Sequence, residues 1–145
     1  MGKLTKEEYI YREEIRRVLK RIDRDCDGII VEGIDDYKVL KELGVSTRIF
    51  RLSGKSFVDL AETVSHCCKT VTILTDYDEE GKKINKRLKE LLVPKLDVMS
   101  AYRKEFGKVL TSKDRFCIED IRPLLVDSLD KFDEVKLSRM YTDLG

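Results

Sequence analysis

The chain has 145 residues, of which 41% are hydrophobic and 39% are charged. This length predicts one domain with its own core, and the regular apolar segments exclude a disordered chain. The 29 basic and 28 acidic residues nearly cancel, so no global field would draw the chain onto nucleic acid or a membrane surface. Any polyanion binding must therefore come from a local patch or a bound cation.

The first predicted element is an amphipathic helix over residues 5–22, in which apolar residues recur at three- and four-residue spacing. Thr5 followed by Glu8 has the pattern of a capping box. The charged first residues lack the apolar region of a signal peptide, and no apolar run reaches the ~18 residues of a membrane span. The cysteines form no CxxC pair and predict reduced thiols, so we expect a cytoplasmic protein without membrane association.

Strands and helices then alternate. The predicted strands cover 29–31, 47–52 and 71–75, and the predicted helices cover 34–44, 56–67 and 78–92. The continuous β-branched run from Ile29 to Val31 is typical of a strand buried on both faces. Alternation with short connections predicts an α/β fold with a mostly parallel sheet and helices on both of its faces.

The last third of the chain has weaker patterns. Residues 96–101 fit a fourth strand and residues 102–110 fit a helix. The segment 115–120 fits either a strand or an extended lead into a last helix near 119–133, and the chain end fits a loose tail. We therefore predict about four strands in a single domain over 1–145, with a C-terminal helical extension over about 101–135.

Carboxylates follow two of the predicted strands. Glu32 ends the first strand, Asp76 ends the third, and Asp78 follows two positions later. Because parallel strands end at the same edge of a sheet, we expect these side chains to meet in one acidic pocket. Carboxylate oxygens are hard ligands that suit Mg²⁺, with Mn²⁺ as the alternative.

A purely structural interpretation of these acids stays open. Residues 78–80 would cap and begin one helix, and residues 35–36 would do the same for the preceding helix. This interpretation explains the helix starts. It does not explain Glu32 or Asp76, since each ends an apolar strand, where a carboxylate is costly unless it is paired or binds a cation.

The segments VEGIDD at 31–36 and TDYDEEG at 75–81 resemble the two signature motifs of Toprim domains. Those motifs are a Glu-Gly after the first strand and an Asp-x-Asp after a later strand. The resemblance covers roughly residues 27–100. Within this family the chain is similar to small stand-alone members, including archaeal proteins and the bacterial ribonuclease that matures 5S ribosomal RNA. The resemblance implies the Rossmann-like Toprim fold.

The resemblance also implies roles for the acidic residues. Glu32 would be the catalytic general acid/base or a metal-linked carboxylate, and Asp76 and Asp78 would be Mg²⁺ ligands. Asp36 matches a supporting acidic position of the family. Apart from the resemblance, we expect Glu80, which mainly starts the next helix, to reach the ion through a water molecule. The chemistry of the family is phosphoryl transfer on nucleic acid, in which the ion stabilises charge at the attacked phosphate.

Two glycines and three lysines complete the candidate site. We expect Gly33 to let the backbone turn sharply after the first acidic motif, and Gly54 to form the SGKS turn after the second strand. Lys55 in that turn is a candidate phosphate contact, as are Lys82 and Lys83 after the second motif. Solvated surface lysines are the alternative interpretation for all three.

The leading hypothesis is a Mg²⁺-dependent enzyme of phosphoryl transfer, namely a nuclease that cleaves RNA or DNA phosphodiesters. The alternative is a non-catalytic, primase-like module that binds nucleic acid or a protein within an RNA-processing or replication assembly. The near-zero net charge favours this alternative, as does the small region left for substrate selection, which a protein partner would then supply. Both RNA and DNA, and both a monomer and a homodimer, remain open.

Overall fold

The computed structural model of the protein describes residues 4–128. These residues form one parallel sheet with the strand order β2-β1-β3-β4. The strands are β1 (Gly28–Val31), β2 (Arg48–Arg51), β3 (Thr70–Ile73) and β4 (Asp97–Val98). The helices in the same part of the chain are α1 (Lys6–Asp25), α2 (Ile34–Glu42), α3 (Phe57–Cys67), α4 (Glu79–Leu92), α5 (Ser100–Thr111) and α6 (Arg122–Ser128), with a 3-10 helix at Ile118–Ile121. The predicted α/β fold is confirmed.

The sheet lies between two hydrophobic cores. Ile29 and Val31 of β1 pack in the larger core with α1, α2, α5 and α6. Ile30, between them, packs in the smaller core with α3 and α4. Because successive strand residues point to opposite faces, a strand between two helical layers must be apolar at every position. This is the reason for the continuous apolar run in β1.

Local signals define most helix ends. Thr5 Oγ1 accepts a hydrogen bond from Glu8 N, and Glu8 Oε1 accepts one from Thr5 N, so the predicted capping box is confirmed. Gly44 follows α2 with a φ of 95°, as a glycine after a helix end commonly does. The predicted end of α1 at residue 22 is wrong, because the helix continues to Asp25. There the Asp25 carboxylate accepts a hydrogen bond from the Tyr102 hydroxyl of α5, a contact that no local pattern reveals.

The last third of the described chain contains less strand than its sequence pattern predicted. The predicted strand over 96–101 is reduced to two residues, since α5 begins at Ser100. The segment 115–117 is an extended lead into the 3-10 helix, not a strand. The predicted end of the last helix at 129–133 and the predicted tail lie outside the described residues. Within 4–128, no helix is both long enough and apolar enough to cross a membrane.

Candidate functional site

The carboxyl ends of β1 and β3 lie side by side, because these two strands are neighbours in the sheet. Glu32 follows β1, and its Oε2 accepts a hydrogen bond of 2.7 Å from the backbone N–H of Asp76. The two residues are 44 positions apart in the chain. The structure therefore brings the two acidic segments into direct contact at one edge of the sheet, which we call the acidic edge.

Asp76 lies in an unfavourable environment for a negative charge. Burial is the main cause that raises the pKa of its carboxyl to about 7. Negative charges nearby raise this pKa further, those of Glu32, Asp36, Asp78 and Asp120. A divalent cation would relieve both the repulsion and the desolvation, since it favours the ionised form of the carboxyl.

Asp36 supports the same edge from α2. Its side chain is only 8% exposed, and its Oδ2 accepts a 3.2 Å hydrogen bond from Gly33 N. Burial raises the pKa of Asp36, the hydrogen bond opposes this, and the charges of Glu32 and other acids add to the increase. The adjacent Asp35 forms an ion pair of 3.0 Å with Arg122, so it ties α2 to α6. Of the two acids, only Asp36 is therefore buried beside the acidic edge.

Asp78 has the role that the structural interpretation assigned to it. Its Oδ1 accepts a 2.7 Å hydrogen bond from Gly81 N and so caps α4. A carboxylate accepts at both oxygens, so this cap leaves Oδ2 able to bind a cation. Glu80 is exposed in the first turn of α4, where its charge is favourable to the helix dipole. Capping and metal binding are thus compatible at Asp78.

The acidic edge suits a cation whose remaining coordination positions are filled by substrate and water. Within residues 4–128, no three His, Cys, Asp or Glu side chains are arranged to hold a metal ion by themselves. Mg²⁺ commonly takes one or two carboxylates and fills its remaining positions with waters and phosphate oxygens. Glu32, Asp76 and Asp78 supply hard oxygen donors of this kind. The chemistry of these donors therefore fits Mg²⁺ at an open site and not inside a protein cage.

Sequence reasoning missed Arg103 of α5, which supports the acidic edge from behind. Its buried guanidinium donates hydrogen bonds of 3.2, 2.8 and 3.1 Å to the carbonyl oxygens of Ile73, Thr75 and Asp76. It also lies 4.2 Å from the centre of the Tyr77 ring. Burial lowers the pKa of Arg103, and nearby negative charge opposes this change. No sequence signal marks it, because it stands among charged residues typical of a helix surface.

Gly81 was also missed, although the sequence contains a signal for it. A Cβ at Gly81 would lie 1.9 Å from the carbonyl oxygen of Asp76, so only glycine allows α4 to start against this loop. The Thr75 hydroxyl donates a 2.8 Å hydrogen bond to Gly81 O and holds the same contact. Glycine is unfavourable inside a helix, and its presence in the first turns of α4 indicates a packing requirement.

The two glycines of the predicted site, Gly54 and Gly33, differ in backbone conformation. Gly54 has a φ of 78°, the left-handed region expected for the SGKS turn. The expectation of a special backbone turn at Gly33 is wrong. Its φ of −143° and ψ of −178° are extended values that any residue adopts, and an added Cβ would meet no atom within 4 Å. The chain bends here because α2 starts at the next residue, without help from the flexibility of glycine.

The segment 115–120 forms one side of the acidic edge, which sequence reasoning did not predict. Tyr77 N donates a 2.6 Å hydrogen bond to Phe116 O. The Asp120 carboxylate accepts hydrogen bonds from Phe116 N at 3.2 Å and Cys117 N at 3.4 Å, and its charge contributes to the raised pKa of Asp76. The Tyr77–Phe116 bond and the effect of Asp120 on Asp76 join distant positions of the chain, so no local pattern could have indicated them.

The candidate phosphate-binding lysines are all exposed. Lys55 belongs to the turn after β2, and in this turn Ser53 N donates a 2.9 Å hydrogen bond to Glu32 O. Lys82 and Lys83 lie in the first turns of α4, four and five positions after Asp78. None of the three forms an ion pair with another described residue. Their positions are near the acidic edge, and phosphate contact by any of them stays a prediction.

Comparison with known proteins agrees with this geometry. The Toprim domain family matches residues 28–109, which includes both acidic segments and most of α5. A UPF0292 protein of Pyrococcus furiosus is 41% identical over 112 residues, covering 77% of this chain and 84% of the relative. A UPF0292 protein of Thermococcus sibiricus is 37% identical over 116 residues, covering 77% and 90%.

A solved structure of a protein from Aquifex aeolicus has a TM-score of 0.62 and 29% identity, covering 74% of this chain and 95% of that one. Toprim domains are nucleic-acid-related domains that generally bind Mg²⁺. The family match covers more than half of the chain, and the predicted resemblance is confirmed. The chain belongs to the Toprim domain family.

Proposed function

We propose that this protein is a Mg²⁺-dependent nuclease that cleaves RNA or DNA phosphodiesters at the acidic edge. The observation that carries the proposal is the 2.7 Å hydrogen bond between Asp76 N and Glu32 Oε2. Through it, a candidate general acid/base lies against a candidate metal ligand although neither sequence segment contains both. Family membership supports the broader class, a nucleic-acid-related and metal-binding domain.

Each acidic residue has a proposed task. Asp76 and Asp78 would hold Mg²⁺ or Mn²⁺, which when bound stabilises negative charge on the attacked phosphate. Glu32 would transfer a proton or complete the metal site. Its Oε2 is oriented by the Asp76 N–H, and the second oxygen of a carboxylate can still accept a proton or a cation. Asp36 would add negative charge beside Glu32 and so strengthen the attraction for a cation.

The lysines would meet the substrate backbone around this centre. Lys55 belongs to a turn that is hydrogen-bonded to the backbone of Glu32, and Lys82 and Lys83 follow the second acidic segment. A phosphate group that approaches the acidic edge must offset repulsion by the carboxylates, and a cation with flanking lysines would do so. We expect lysine substitutions to weaken substrate binding more than they slow the bound reaction.

The test is cleavage by purified protein of single-stranded and structured RNA and DNA, with Mg²⁺ or Mn²⁺ and with chelator. We expect metal-dependent cleavage that Asp76→Asn abolishes, because an amide is a neutral and much weaker Mg²⁺ ligand. Asp97→Asn is the matched control, since Asp97 is an exposed carboxylate at the start of β4. Wild-type protein that cuts none of these substrates, or Asp76→Asn protein that cuts as well as wild type, would contradict the proposal.

A non-catalytic binding module is the second candidate function. Two geometric observations favour it: Glu32 already binds a backbone amide, and Asp78 already caps a helix. Both carboxylates would then have structural roles in a domain that binds nucleic acid or a protein within a larger assembly. A stable partner that co-purifies, together with function in cells unchanged by Glu32→Gln, would select this candidate over the nuclease.

A further inference from the structure

Phe116 is an exposed aromatic side chain at the acidic edge. It is 49% exposed, and it is the one exposed large apolar residue in 4–128 whose backbone is hydrogen-bonded to the Asp-x-Asp loop. The other exposed apolar residues belong to other elements, namely Tyr9, Ile10, Ile34, Val58 and Val93. An aromatic ring exposed to solvent beside a candidate active site offers a large, flat apolar surface to a ligand that binds there.

The backbone of Phe116 is held from both sides. Phe116 O accepts the hydrogen bond from Tyr77 N, and Tyr77 is the residue between Asp76 and Asp78. Phe116 N donates to the Asp120 carboxylate. Through the first of these bonds, whose N–O distance is 2.6 Å, the Phe116 backbone lies directly against the residue between the two candidate metal ligands.

The exposure of Phe116 does not result from a loosely attached segment. Ile118, two residues later, is buried in the larger core, and Ile121 is buried there as well. The segment is therefore anchored in the core, while the Phe116 side chain is 49% exposed. A ring with a fixed backbone loses little conformational entropy when it binds a flat partner.

The charges near the Phe116 ring indicate which kind of ligand could bind there. The acidic edge repels phosphates unless a cation is present, and the whole chain carries a net charge of only +1. Stacking of a nucleobase on an aromatic ring adds affinity without any charge and accepts every base. In a duplex the faces of internal bases are already covered by their neighbours, whereas unpaired bases can stack on protein.

We propose that Phe116 is a stacking platform for an unpaired nucleobase, next to the phosphate that the acidic edge would bind. The substrate class is then single-stranded or locally unpaired nucleic acid. The proposal rests on the proposed function for the place of the phosphate, but the stacking itself is a binding event that can be measured without cleavage.

The chain has no tryptophan, which permits a direct measurement. Phe116→Trp would introduce a single indole, and its fluorescence is expected to fall when a short single-stranded oligonucleotide binds in Ca²⁺ buffer. Val93→Trp is the matched control, because Val93 is 55% exposed at the far end of α4. The length of this helix, 14 residues, puts the control about 20 Å from the acidic edge. Its fluorescence should not respond.

Affinity measurements then separate stacking from simple apolar contact. Phe116→Ala should weaken single-strand binding by about 5- to 150-fold, the loss expected for one stacked base. Phe116→Tyr should bind as wild type does, and Phe116→Leu should resemble the alanine variant because it lacks a flat face. Unchanged binding by Phe116→Ala or Phe116→Leu would overturn the proposal, and so would equal quenching of F116W by a duplex of the same sequence.

The outcomes for stacking and for the nuclease can be told apart. Cleavage of single strands without quenching of F116W fluorescence would contradict the stacking proposal and still support the nuclease proposal. Quenching of F116W without cleavage of any substrate would support the platform and contradict the nuclease. Parallel titrations with oligoribonucleotides and oligodeoxyribonucleotides would show which of the two nucleic acids stacks more tightly.

Discussion

Arg103 allows the sharpest test of how the fold supports the acidic edge. In Arg103→Met, a side chain of similar length would lose all donors to the carbonyl oxygens of Ile73, Thr75 and Asp76. At about 1 kcal/mol net for each hydrogen bond, the loss amounts to about 3 kcal/mol. Contact with the Tyr77 ring adds about 0.5–2 kcal/mol, which the cost of burying the guanidinium partly offsets. We therefore expect the free energy of unfolding to fall by about 2–4 kcal/mol.

The same substitution should also weaken metal binding, because Arg103 positions the backbone of Asp76. Outer residues that orient ligands typically change metal affinity by about 10- to 100-fold, so we expect a loss of this order for Mn²⁺. Urea denaturation measures the first effect and isothermal titration of Mn²⁺ measures the second. Arg103→Lys should restore little of either, since an ammonium group cannot reach three carbonyls at once.

The matched control for these measurements is Lys104→Met, which removes an exposed cation from the adjacent position of α5. It should change the free energy of unfolding by less than about 0.5 kcal/mol. An Arg103→Met protein that unfolds at the same urea concentration as Lys104→Met, and binds Mn²⁺ equally well, would refute the proposed support of the acidic edge.

Two further predictions concern Gly81 and the acidic pocket. Gly81→Ala should lower the free energy of unfolding by about 2–4 kcal/mol through the clash with Asp76 O, whereas Gly33→Ala should be within about 1 kcal/mol of wild type. The pKa of Asp76 in the folded protein, about 7, lies above the ordinary value of 3.8 for an Asp carboxyl. The folded state therefore binds more protons between these values, and metal-free protein should lose stability as pH rises from about 4 to 7. Asp76→Asn should flatten this dependence in urea denaturation with chelator, Asp97→Asn should not, and Mg²⁺ should restore stability at high pH.

Periodicity and turn residues were enough to predict the repeating part of the fold. The β-branched run of β1, the capping box at Thr5 and Gly44 after α2 are local signals, and each acts where it stands in the chain. The contact between Glu32 and Asp76 could be expected because parallel strands all end at the same edge of the sheet, although only the structure showed that β1 and β3 are neighbours. The extension of α1 to Asp25 was not predicted, and the contact of Asp25 with Tyr102, 77 positions further along the chain, is one that no local pattern reveals.

By itself, the sequence determined the layered fold, the family and the acidic character of one sheet edge, because these follow from spacing and residue type. Only the tertiary structure showed that Arg103 binds the backbone behind the acids and that Gly81 allows α4 to start against Asp76. It also showed that Phe116 is joined to the loop between the candidate ligands. The physical reason is that the roles of Arg103, Gly81 and Phe116 depend on the groups that contact them. Those groups come from remote parts of the chain or from the loop between β3 and α4, so residue type and spacing do not reveal them.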